Sequence, residues 1–307
     1  MGRRFIWLAF FVAPVLPAAE PVGLLSMVSG EVQLIRAGES APSAARTADL
    51  IGAGDRVLTG ANSEATFLFC PESRAAKMMA QSEVQFDTAS LAVKKGKLAE
   101  ERKVPTCRLP ASLVLAAASK LQAGNMRLRP GDRPMLLRSP ANTLVTSLTP
   151  RFRWDPVENA AGYEIKLQDR EERILWKSDV SGTEISYPST ASPLAWGQKY
   201  RWRVTAKSGE DAVDEAGSSF QVMPNDQAEK VRAAAAELDQ QRTANPGDIG
   251  PLFLLAFLYE DNGMLDEAVR LYGELAQRMG PQDWVQNRMN DLMGKLGWDR
   301  LESGTPR

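Results

Sequence analysis

Apolar and polar positions change their spacing three times along the 307-residue chain. From Val22 to about Pro110, short runs alternate. "GEVQLIRAG" sets Val32 and Leu34 against polar neighbours, Ala65, Phe67 and Phe69 follow at every second position, and "SEVQF" repeats the pattern. Such alternation predicts half-buried strands, with Gly30, Gly38, Gly54, Gly60 and Gly96 at the turns between them. From Arg138 to Val222 the alternation returns with heavier side chains. Phe152 with Trp154, then Tyr163, Ile165 and Leu167, then Tyr200, Trp202, Val204 and Ala206, each fall on one strand face. After Pro224 the spacing becomes helical: Ala228, Val231, Ala235 and Leu238 make one stripe behind an N-cap at Asn225 or Asp226, and two more helices flank Asn262-Gly263. The predicted organisation is therefore multidomain α and β. It comprises a small β-rich module over 20–110, a Pro/Gly-broken basic linker over 111–137, a β-sandwich over 138–223, a helical segment over 224–300 and a flexible tail over 301–307.

Each segment resembles a known family. In the first, the series Leu50…Gly54-Asp55-x-Val57-x-Thr59-Gly60…Ser63-x-Ala65-x-Phe67-x-Phe69 resembles the FecR-like domain. The resemblance implies an extracytoplasmic β-rich module used in envelope signalling and as a building block of larger envelope proteins. Trp154, Tyr163-x-Ile165 and the Leu194…Gly197…Tyr200 spacing of the second segment resemble a fibronectin type III sandwich with a tyrosine corner. In the third, Leu252…Leu255-Ala256…Tyr259…Gly263…Ala268…Tyr272…Leu275 resembles a tetratricopeptide repeat, about one and a half repeats plus a closing helix. That last resemblance implies a concave groove for an extended peptide and places Phe253, Phe257 and Glu260 on it. Because "PLFLLAFLY" is apolar all round, cover by neighbouring helices or by the sandwich is the competing expectation for the two phenylalanines.

The first residues indicate destination. Arg3 and Arg4 precede an apolar run from Phe5 to Leu16, and small residues close it at Ala18 and Ala19, which is the pattern of a cleaved signal peptide over 1–19. An uncleaved anchor is the alternative, although the run falls short of the roughly 20 residues a bilayer span needs. No cysteine follows the run, so a lipoprotein anchor has no acceptor. The expected location is the periplasm. In that oxidising compartment Cys70 and Cys107, the chain's 2 cysteines, are expected to form a disulfide, worth roughly 3–4 kcal/mol on a chain-entropy argument.

Composition narrows the chemistry. The chain contains no histidine, which excludes His-based triads, Cys-His pairs, His-ligated metals and a His general base. Two cysteines cannot build a four-thiolate metal site, and no metal or cofactor is expected. A net charge of −1 argues against a nucleic-acid partner. Asp55, Thr59 and Ser63 read as turn residues bonding backbone amides, and the adjacent Glu171 and Glu172 as a hairpin tip whose side chains point to opposite faces. Trp154, Tyr200 and Trp202 read as core, with a carbohydrate-stacking platform as the alternative.

Two stretches carry opposite charge. Eleven Lys/Arg against three acids between Lys94 and Arg138 give a local +8, whereas 18 acids against 9 bases from Gly209 onward give −9. Lys94, Lys95, Lys97, Arg102, Lys103, Arg127 and Arg129 form a candidate patch for an anionic envelope polymer or lipid headgroup, the alternative being a solvated surface with paired charges. The expected function is a noncatalytic exported scaffold holding envelope proteins. The alternative is an envelope-polymer (peptidoglycan or glycan) binder or a carboxylate-dependent glycan enzyme.

Overall fold

The computed structural model describes residues 21–105, 107, 135–209, 211–279 and 283–298. The expected signal peptide, most of the linker and the tail lie outside the described residues, as do Arg127 and Arg129. What is described is β-rich, with four sheets followed by four C-terminal helices.

The first unit stacks two five-stranded sheets. One has the order β10-β7-β6-β1-β4, built from β1 (Pro21–Ser29), β4 (Leu50–Gly52), β6 (Glu64–Phe69), β7 (Arg74–Met78) and β10 (Leu98–Lys103). The other runs β3-β2-β5-β8-β9, from β2 (Val32–Ile35), β3 (Ser43–Ala44), β5 (Arg56–Thr59), β8 (Glu83–Phe86) and β9 (Leu91–Lys95). Alternate residues of both sheets point inward and fill the space between them, among them Leu25, Val57, Ala65, Phe67, Phe69 and Phe86. Phe67 meets Phe86 edge to face at 5.0 Å. Strand β6 is buried on both faces, since Leu68 is as covered as its neighbours Phe67 and Phe69. The simple alternation of the sequence gives only one of these faces.

The second unit is a two-sheet sandwich. Strands β12 (Thr143–Val145), β14 (Gly162–Gln168), β15 (Ile174–Val180), β17 (Lys199–Ser208) and β18 (Asp211–Val222) form a sheet of order β12-β18-β17-β14-β15. It faces a smaller sheet, β11-β13-β16, made of β11 (Leu137–Ser139), β13 (Arg151–Trp154) and β16 (Glu184–Ser186). Phe152, Trp154, Ile165, Trp202, Val204 and Phe220 fill the interior, so the aromatic faces that the sequence left open to a carbohydrate are closed. Buried aromatic rings need partners for their polar tips. Trp202 donates its indole N–H to the Pro140 carbonyl at 2.7 Å, and the Tyr200 hydroxyl accepts the Ala195 amide at 2.8 Å, closing the corner that Leu194…Gly197…Tyr200 anticipates. The acids of "DREER" lie in the β14–β15 turn, which Asp169 ties down by accepting the Glu171 and Arg173 amides.

The helices are α1 (Asn225–Ala244), α2 (Gly250–Asp261), α3 (Leu265–Met279) and α4 (Asp283–Leu296). Pro224, not Asn225 or Asp226, occupies the N-cap of α1, and no side chain caps it. The Ala228, Val231, Ala235 and Leu238 stripe is buried as its spacing predicts. Helix α2 is buried from Gly250 through Leu258, which is why its sequence carries no polar face. No described helix is long and apolar enough to cross a membrane.

A third core, distinct from the interiors of the two β units, lies where all three units meet. It joins Leu24, Leu68, Ala75 and Val104 of the first unit, Leu136, Ala141 and Met223 beside the sandwich, and residues from every helix, Phe253 and Leu255 included. The outer face of the β1-β6-β7 sheet is thus covered by helices, and this is the second cover that β6 required. At Ser26 a register shift in β1 turns the strand toward α2, and the Ser26 carbonyl accepts the Ile249 amide at 3.2 Å. Gly250 follows because a Cβ there would sit 3.1 Å from that of Ser26. On the other side, the Leu144 amide of β12 donates to the carbonyl of Gly263, in the α2–α3 turn, at 3.0 Å.

Candidate functional site

Asp55, Thr59 and Ser63 are spent on the scaffold. Asp55 is buried and accepts the Gly52 and Ala37 amides at 2.8 and 2.9 Å together with the Arg36 guanidinium at 2.8 Å. Thr59 donates to the Met79 carbonyl at 2.6 Å while accepting the Ser82 amide, and Ser63 accepts the Glu31 amide at 2.7 Å. Three polar side chains thereby close three turns of the first unit, and their spacing in the sequence records those closures. Cys70 and Cys107 form a disulfide across 37 residues, with Cα atoms 4.7 Å apart. The bridge ties the chain beyond β10 to the end of β6, and Cys107 also packs on the shared core.

The expected peptide groove is not open at its named residues. Phe253 and Phe257 are 1% and 4% exposed, and the Phe253 ring lies edge to face with Trp284 of α4 at 5.7 Å. Glu260 accepts the Tyr272 hydroxyl at 2.9 Å and is paired with Arg288. Burial depresses the Arg288 guanidinium below its usual value and raises the Tyr272 phenol above its own. Their burial has a plain cause: a helix that is apolar all round needs cover on every side, and the chain's own helices and first unit supply it.

The basic stretch also separates into parts. Arg102 turns inward from β10 to Asp248, which is 0% exposed, at 2.7 Å and to Gln241 at 3.3 Å. It links the first unit to the helices and is not free to meet a polymer. Lys103 stands opposite Arg74 at the far end of β10. Lys94, Lys95 and Lys97 remain exposed together around the β9–β10 turn. Arg138, the last cation of the stretch, chelates Asp155 with contacts of 2.8 and 2.7 Å.

Where β12 meets α3, a groove of about 400 Å³ is lined by Leu144, Thr149, Arg151, Arg153, Asp266 and Arg270 among others. Glu267 sits between Arg153 and Arg270, at 2.9 and 2.7 Å. Asp266 beside it is 4% exposed and accepts the Thr143 hydroxyl at 2.9 Å. Burial, and then the neighbouring Glu267 charge, push the Asp266 carboxyl up to about 6, against opposing hydrogen bonds from Ser139 and Thr143. Folded Asp266 therefore keeps its proton to higher pH than the unfolded chain, whose aspartate titrates near 3.8. Between these values the native state binds more protons, so its stability falls as pH rises. The shift corresponds to about 3 kcal/mol at this residue. Denaturant titrations should show this loss between about pH 4 and about pH 7, and Asp266→Asn should remove it. Glu164 behaves oppositely. Lys166, Lys207 and Lys177 hold it down to about 2, so its contribution is complete above 4.5 and fades as pH falls toward 2. Among the described residues no cluster of three or more Cys, Asp or Glu is placed to hold a metal ion.

No protein-family model matches the chain, and no curated protein matches it. Among solved structures, the crystal structure of CopC from Methylosinus trichosporium OB3b is 16% identical, with 29% of this chain covering 94% of that one at a TM-score of 0.23. The FN1-FN3 domains of chicken CNTN1 are 9% identical over 65% of this chain and 58% of theirs, also at 0.23. The beta-glucuronidase of Ruminococcus gnavus is 11% identical over 29% of this chain and 15% of the enzyme, at 0.21. Scores this low assign neither fold nor activity.

Proposed function

We propose that the chain is a noncatalytic scaffold of the cell envelope, exported to a periplasm and built from a FecR-like module, a fibronectin type III-like sandwich and a tetratricopeptide-repeat-like helical segment. One observation supports this reading above others: the core that joins the helices to the outer face of the first unit and to the edge of the sandwich. Helices that spend their apolar faces on both neighbouring β units fix those units in relation to each other. A fixed pair of β surfaces is what a scaffold presents, whereas a peptide-capturing helical array keeps its inner face open. In this reading the helical segment is a brace, and partners meet the β units.

Affinity capture of the exported protein after crosslinking in intact envelopes tests the proposal. A discrete protein partner with crosslinks on the β units is the expected result. Recovery of muropeptides without any protein would overturn it in favour of envelope-polymer binding.

A further inference from the structure

The groove where β12 meets α3 is lined by two residues that each keep one buried polar atom unused. Asp266 is 4% exposed, and its Oδ1 accepts the Thr143 hydroxyl and the Glu267 amide, each at 2.9 Å. Its Oδ2 has no hydrogen-bond partner of ordinary geometry. Arg153 donates from Nη2 to Glu267, whereas its buried Nε–H has no acceptor among the described residues. Both residues line the same groove of about 400 Å³. Six buried side-chain polar atoms lack a partner among the described residues, so two of the six belong to this one lining. One is an acceptor and the other a donor, and either is costly to leave bare.

The charge of the groove narrows what can satisfy them. Arg151, Arg153 and Arg270 stand in the lining against Asp266 and Glu267. Glu267 already serves two of these guanidiniums, Arg153 at 2.9 Å and Arg270 at 2.7 Å. Arg151 has no closer carboxylate among the described residues than the exposed Glu184, at 3.8 Å. Three cations against two carboxylates leave one positive charge over. Pinning α3 to the sandwich accounts for the contacts of Glu267, but not for the free Oδ2 and Nε–H or for the surplus charge. A buried water can join a donor to an acceptor, yet it brings no charge. Ser147 and Thr149, whose hydroxyls lie 3.2 Å apart, add further polar groups to the lining.

We infer that this groove binds a small hydroxylated monocarboxylate, its carboxylate received by the arginines and its hydroxyl donating to Asp266. Guanidinium groups match a carboxylate in shape as well as in charge. A zwitterionic amino acid brings a donor without net charge, and sulfate brings charge without a donor. The volume is that of a small-molecule site. The inference goes beyond the scaffold reading and does not depend on a protein partner, so either can fail without the other.

Lactate, glycerate and gluconate are titrated calorimetrically into the purified protein at pH 8, where Asp266 is ionised, with hexanoate, sorbitol, glycine and sulfate as comparisons. At least one hydroxy acid should bind. The four comparison compounds should bind about tenfold more weakly than it or not at all, as expected when a hydrogen bond to a charged group is lost. Arg151→Glu alters an exposed side chain and leaves the fold intact, so its expected weakening of about tenfold reads the site alone. Arg153→Gln should weaken binding as much, and Asp266→Asn should narrow the gap between the bound hydroxy acid and hexanoate. Failure of all three hydroxy acids to bind overturns the inference and leaves Oδ2 and Nε–H to ordered water. Sulfate bound as tightly as the hydroxy acid overturns it too, by marking a plain anion site, as does an Arg151→Glu protein that binds like the parent.

Discussion

Phe253→Asp is expected to destabilise the chain by about 5 kcal/mol, measured as a shift in the midpoint of denaturant unfolding at constant slope. The ring is 1% exposed, touches Trp284 and belongs to the core that joins all three units. Removing a buried phenylalanine alone costs about 3–5 kcal/mol, and a carboxylate left in its place has no described partner to offset its desolvation. A phenylalanine lining an open groove would behave differently, since surface substitutions usually fall within about 0.5 kcal/mol. The tenfold gap between these magnitudes makes the substitution decisive. A small effect would mean that α2 faces solvent or a partner.

Asp248→Ala is the second large effect, expected at about 4 kcal/mol. This carboxylate is 0% exposed and serves two partners, the Arg102 guanidinium at 2.7 Å and the Gly250 amide at 2.8 Å. Deleting it strands a half-buried cation from the first unit and a buried amide at the start of α2. Lys94→Ala, beside the exposed β9–β10 turn, should change stability by no more than about 0.5 kcal/mol. Combining Asp248→Ala with Arg102→Ala should cost less than the sum of the two single changes, because they break the same pair.

Several features could be read directly from the chain. Alternation placed Phe67, Phe69, Trp202 and Val204 inside, and the Tyr200 spacing anticipated its bond to Ala195. The Asn262-Gly263 break lies between α2 and α3. All of these are local, since a strand's period or a turn's glycine is fixed by neighbours a few residues away. The second cover over β6 was recorded only indirectly, in the unbroken run Phe67-Leu68-Phe69, which a one-sided strand would interrupt with polar residues.

The partition of the basic stretch could not be read in this way. Arg102 and Lys103 are adjacent and chemically alike, yet one closes a contact with a residue 146 positions away while the other stays on the surface. Local charges of +8 and −9 indicate that two regions attract but not which side chains meet. Asp266 gave no signal for a related reason. An acid in the first turn of a helix is ordinarily a solvated partner of the helix dipole, and the approach of β11 and β12 buries this one. Phe253 and Phe257 carried a truer signal in the polarity of α2 as a whole than in their repeat positions.

Hydrogen exchange of α2, compared with that of β1 and β6, tests most directly whether the helical segment is an internal brace. A brace packs in one core with the outer face of β1 and β6, so the amides of Gly250–Asp261 should open only at free energies matching those of the two strands, and Asp248→Ala should lower all three together. Exchange of α2 at a much lower opening free energy, with β1 and β6 still protected, would contradict the account and return the helices to the role of an independent, partner-facing array.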